Sequence, residues 1–99
     1  MAELLLNERD TAKGRLVSVC DADVLGEQFE NGDVSLTVTP DFYDGDVVEE
    51  ETVVASLARC TTANIVGTHA VDLAIEHGFV DEENVLDLDG TRHAQLLWL

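Results

Sequence analysis

Carboxylates decide what this chain can fold into. It has 99 residues, with 21 Asp and Glu against 5 Lys and Arg, for a formal charge of -16 at pH 7. In dilute buffer such a coat repels itself and opposes compaction. Near molar salt the Debye length falls to about 3 Å, and most of that repulsion is screened. The carboxylates run evenly from Glu3 to Asp89 rather than forming a block. An acidic tail would be blocked, so the dispersal reads as a folded acidic domain suited to a saline interior, with solvent cations at its surface. The competing reading is an acidic partner-binding protein from an ordinary cytoplasm.

Apolar residues make up 45%, enough for one modest core and too many for a disordered chain. The expectation is a single domain over residues 1–99. No apolar run approaches the length of a membrane span, and no secretory signal is legible. Cys20 and Cys60 are too few for a disulfide framework, which points to free thiols in a reducing cytoplasm.

Leu4–Asn7 and Arg15–Cys20 read as strands joined in a hairpin, and Asp21–Gly26 as a turn or one helical turn. After the turn signal Asn31-Gly32-Asp33, Val34–Val38 alternates with period two and reads as a strand. Thr39–Gly45 reads as a loop. Asp46, three residues before Glu49, suggests a capping box for a helix over about Val48–Cys60. Thr61–Gly67 is ambiguous. Thr68 reads as the cap of a second helix that stops at Gly78. Val85–Leu88 and Thr91–Trp98 flank Asp89-Gly90, a hairpin signal. The expected class is α+β: a small, mostly antiparallel sheet with two helices packed on one face.

Catalytic chemistry finds little purchase. Asp21 and Asp23 beside Cys20, and a helix C-terminus at Cys60, disfavour thiolates. His69 and His77 lie eight apart on a helix, about 80° out of register. No metal-ligand spacing and no phosphate-binding glycine loop is present, and an EF-hand alignment puts Pro40 or Val85 at the first ligand position. No cofactor and no dedicated metal site is expected.

The local departure from acidity is Arg9, Lys13 and Arg15, on the first hairpin. They read as a patch for phosphates or as cations paired with neighbouring acids. Phe42 and Tyr43 in their loop read as base-stacking residues or as plugs at a core edge. A small enzyme would rest on His93 as acid or base with Asn64 and Thr62 as polar partners. A protein-only adaptor would self-associate through an exposed sheet edge.

Val19-Cys20-Asp21 leading to Leu25-Gly26 and Phe29-Glu30 is one recognisable motif. The others are Asp41-Phe42-Tyr43-Asp44-Gly45, Thr62–Gly67 followed by Ala70–Ala74, Asn84-Val85-Leu86 and His93-Ala94-Gln95. Together they resemble the archaeal domain of unknown function 424 family, as a haloarchaeal member, over about residues 3–98. Asp44 stands where that family more often has glycine, and Arg92 where it often has proline before the histidine. The resemblance implies a non-catalytic module in the company of translation genes, loosely labelled RNA-binding. Its expected partners are ribosomal RNA or translation proteins, met through Arg9, Lys13, Arg15, Phe42, Tyr43, Thr62, Asn64, the Gly67 amide and His93. The Thr62–Gly67 stretch reads equally as a helix-to-helix corner capped by Asn64.

Overall fold

A computed structural model describes residues 3–98. Strands β1 (Leu4–Thr11) and β2 (Gly14–Asp21) form the expected hairpin. A 3-10 turn, Ala22–Val24, leads to a second hairpin of β3 (Gln28–Asn31) and β4 (Val34–Thr37). Helix α1 (Pro40–Tyr43), strand β5 (Asp46–Val48) and helix α2 (Glu50–Arg59) follow. Then come β6 (Thr62–Val66), α3 (Thr68–Glu76), β7 (Leu86–Leu88) and β8 (Thr91–Leu97).

The main sheet has six strands in the order β5-β1-β2-β6-β8-β7, and β3-β4 forms a separate ribbon. The class is α+β, but the sheet is mixed, because β6 lies parallel to β2. That parallel pair needs a long crossover, which the second hairpin, α1, β5 and α2 supply. Helices α2 and α3 pack on one face over Leu4, Leu6, Val17, Val19, Ala63, Ile65, Ala94 and Leu96. On the other face, α1 and the ribbon cover Leu5, Cys20 and Val66.

Four segment readings are corrected. Asp46 does not cap a helix: it opens β5, which pairs with β1, and α2 begins at Glu50. The sheet edge takes these residues because Val47 and Val48 suit a strand and gain hydrogen bonds there. The Thr39–Gly45 loop contains a helical turn started by Pro40. Thr61–Gly67 is neither loop nor corner; it contains β6, hydrogen-bonded on both sides and rich in buried apolar residues. Thr68 is the first residue of α3 rather than its cap.

Leu57 is 0% exposed under α2. Leu57→Ala should lower stability by about 2–5 kcal/mol, read as the shift in a urea or guanidinium midpoint measured in molar KCl.

Candidate functional site

Strand alternation sorts the polar residues by face. On β1, Leu4 and Leu6 point toward α2 and α3, so Asn7 and Arg9 point the other way. The same rule puts Leu16 and Ser18 of β2, Thr62 and Asn64 of β6, and His93, Gln95 and Leu97 of β8 on the face opposite those helices. Pairing aligns them in rows. Asn7, Ser18, Asn64 and Gln95 form one row, and Arg9, Leu16, Thr62 and Leu97 the next.

The ribbon and α1 cover only part of this face. Toward β6 and β8 it stays open, with Leu97 60% exposed. Gln95 Nε2 donates to Asn64 Oδ1 at 2.9 Å. Asn64 Nδ2, Gln95 Oε1 and the Thr62 hydroxyl have no hydrogen-bond partner among the described residues. Neither row contains a carboxylate. The reason lies in the sequence: residues 11–20, 52–71 and 90–98 contain no Asp or Glu, and they supply β2 up to Cys20, β6 and β8. In a chain of charge -16, this is a carboxylate-free window.

The basic residues of the first hairpin do not form one patch. Arg9 borders the window, with its guanidinium 5.0 Å from the Phe42 ring centroid. It donates to the Asp41 carbonyl of α1, and Asn7 donates to the Asp44 carbonyl. Arg15 lies on the helix face, 3.2 Å from Asp10 and 3.7 Å from Glu8. One residue separates the two along paired strands, and a strand turns that single step into opposite faces. Lys13 stands exposed in the tight turn, where it borders a cleft of about 190 Å³ together with Arg15, Leu16 and Thr62.

Tyr43 is buried at 4% exposure, and burial, helped by Cys20, pushes its phenol up to about 12. Base stacking by Tyr43 is thereby corrected to a packing role. Phe42 is half-buried, edge-on to Tyr43 at 5.0 Å. The Gly67 amide is also taken: it donates to the Arg92 carbonyl at 2.9 Å. His93 is half-buried, with Nδ1 3.1 Å from the Ile65 carbonyl. Burial lowers its pKa below the ordinary 6.5, and the Ile65 contact opposes that shift.

A depressed histidine binds its proton less tightly in the native chain than in the unfolded one. Its contribution to stability is therefore full above about pH 6.5 and is lost as pH falls through that value and toward the native pKa. His93→Gln should flatten the stability profile between pH 7 and roughly 5, measured by denaturation at fixed high salt.

Thr62, Asn64 and His93, the candidates for a small enzyme, lie on one face of the sheet, and Thr62 borders the cleft beside Lys13. His93 and Asn64 line neither the cleft beside Lys13 nor a larger one of about 320 Å³ bounded by Glu3, Leu4, Val47, Val48, Glu49, Glu50 and His69. Burial, then Asp21, pushes the Cys20 thiol up to about 12, and burial raises Cys60, so neither is an activated nucleophile. The described residues contain no cluster of three or more His, Cys, Asp or Glu fit to hold a metal. No helix among them is long and apolar enough to cross a membrane.

The residue that inspection of the sequence missed is Asp21. Every other carboxylate is exposed, whereas Asp21 is 5% exposed. Its Oδ2 accepts from the His69 amide at 3.0 Å and its Oδ1 from the Ala70 amide at 2.9 Å. These are the second and third amides of α3, the donors a side-chain cap satisfies. Burial raises the Asp21 pKa and the two amide bonds pull against it. No local pattern reveals this cap, because strand and helix are 48 residues apart.

The fold and window thus define a small mixed-sheet α+β domain with an exposed, carboxylate-free stretch of sheet. The chain belongs to the DUF424 family, proteins of unknown function, whose profile matches residues 8–99. Its fold is similar to that of an uncharacterized conserved protein from Methanopyrus kandleri. That match has a TM-score of 0.78 at 23% identity, covering 99% of this chain and 96% of the other. No curated protein matches the chain.

Proposed function

We propose that this protein is a non-catalytic binding module of the translation apparatus in a halophilic archaeon, and that it docks on ribosomal RNA or a ribosomal protein through the open window. The observation that carries the reading is charge. Carboxylates dominate the exposed surface, yet Leu16, Thr62, Asn64, Gln95 and Leu97 present a stretch of sheet free of them. Arg9 stands at one border and Lys13 near another.

A polyanion meets least repulsion there. Unused amide and hydroxyl groups of Asn64, Gln95 and Thr62 supply hydrogen bonds that molar salt does not screen, unlike phosphate contacts, which salt weakens steeply. His93, with its lowered pKa, adds no positive charge at neutral pH. The interaction rests on Arg9, Lys13 and the uncharged rows.

Sedimentation of the tagged protein with ribosomal fractions in molar KCl tests this. Wild type should co-sediment, and Thr62→Glu or Asn64→Glu should weaken the association at least about tenfold by setting a carboxylate against the partner. Absence of the wild type from every ribosomal fraction would reject the proposal.

A further inference from the structure

We infer that the outer edge of β8 is a self-pairing surface, and that two copies join there into one continuous twelve-stranded sheet. Strand β7 covers β8 only opposite Thr91, Arg92 and His93. Beyond His93 no strand among the described residues lies beside this edge. The hydrogen-bond phase identifies which groups are open. The Gly67 amide donates to the Arg92 carbonyl, and the Trp98 amide donates to the Thr61 carbonyl. Even-numbered residues of β8 therefore turn their main-chain groups toward β6. Gln95 and Leu97 turn theirs outward, and no hydrogen bond among the described residues uses them.

This edge has none of the devices that keep sheets from pairing. Ala94-Gln95-Leu96-Leu97-Trp98 contains no charge and no proline, and its register against β6 runs without a bulge from His93 to Leu97. Leu97 is 60% and Trp98 46% exposed. The sheet's opposite edge is guarded. There β5 is three residues long, begins at Asp46 and is followed by Glu49 and Glu50.

The partner that fits is a second copy. An antiparallel two-fold through Leu96 sets Gln95 opposite Leu97 of the other copy and Leu97 opposite its Gln95, so the outward amides and carbonyls of both are used together. Along the paired positions Ala94–Trp98 only uncharged residues meet, which spares two chains of charge -16 a carboxylate-to-carboxylate contact at the seam. The axis stands perpendicular to the sheet, so both open windows end on the same side, joined at Leu97. Contact area is small for a stable dimer, and a weak, concentration-dependent association is expected.

Analytical ultracentrifugation of the full chain in molar KCl, from about 10 µM to 1 mM, tests it. Wild type should shift with concentration from 10.8 kDa toward twice that mass. Leu97→Pro removes an outward amide that the protomer itself does not use, so it should stay monomeric with an unchanged circular dichroism spectrum. Leu97→Arg, which keeps the amide, should weaken dimerisation at least about tenfold by charge repulsion at the seam. A wild type monomeric across the range, or a dimer that survives both substitutions, overturns the inference. Thr62→Glu and Asn64→Glu lie off this edge and should leave dimerisation intact, which separates its failure from that of the ribosomal reading.

Discussion

Gly67→Ala should cost about 4 kcal/mol or more and leave the chain at the margin of folding. Gly67 adopts φ +115 and ψ 145, a region open only to glycine, which alone is worth about 1–3 kcal/mol. An added Cβ would lie 2.4 Å from Asp21 Cγ, so the carboxylate would have to leave. The amides of His69 and Ala70 would then lose their acceptor at the start of α3, at roughly 1–3 kcal/mol for each donor left buried. Asp21→Ala should lose part of the same energy, about 2–4 kcal/mol, without the backbone strain.

The two changes share one contact, so their effects should not add. The double variant should be more stable than the sum of the single losses predicts, by roughly 1 kcal/mol or more. Denaturation of all four proteins at one KCl concentration measures this. A Gly67→Ala variant within 1 kcal/mol of wild type would refute the junction described for β2, β6 and α3.

Lowering the salt should unfold the protein outright. The molecule measures 32 × 29 × 26 Å. At 10 mM ionic strength the Debye length is about 30 Å, so every carboxylate feels every other. At 1 M it is about 3 Å, and only near neighbours interact. Sixteen excess charges make about 120 pairs, and at ~20 Å in water each repels by roughly 0.2 kcal/mol, a gross cost near 25 kcal/mol. Unfolding roughly doubles the chain's dimensions and relieves about half of it.

That relief matches the whole stability of an ordinary domain, about 5–15 kcal/mol. Internal ion pairs do little to offset it. Arg92 gathers Asp72, Glu82 and Asp87, and Arg15 and Arg59 share Glu8, but the remaining carboxylates outnumber every cation. Circular dichroism during dialysis from 2 M to 10 mM KCl should show loss of native signal, regained on return to salt. A native spectrum throughout would mean that burial outweighs the repulsion.

Local chemistry is legible wherever neighbours in sequence settle the outcome. Period-two alternation marks β4, and Asp89-Gly90 marks the last hairpin, with Gly90 at φ +98. Gly78 at φ +76 ends α3 as its position implies. Thr61–Gly67 resists such reading because Ala63, Ile65 and Val66 are a short apolar set that suits helix or strand equally, and only pairing with the distant β2 and β8 makes it a strand. Asp46 misleads because a carboxylate three residues before Glu49 satisfies a helix start, whereas pairing with β1 supplies a competing strand.

The carboxylate-free window was half visible. Arg9, Thr62, Asn64 and His93 stand on its face as residues singled out by sequence, while Arg15 lies across the sheet and Tyr43 is buried at the end of α1. Asn7, Ser18, Gln95, Leu16 and Leu97 were not singled out as site residues. The three acid-free stretches were the available sign of them.

Composition and short-range pattern alone determined the charge, the first and last hairpins and the two larger helices, since each depends on residues a few positions apart. Only the tertiary structure decided which face Arg9 and Arg15 occupy, that β6 lies beside β2, and that Asp21 caps α3. Those outcomes depend on register and on contacts between residues dozens of positions apart, where one step along a strand reverses a side chain's direction.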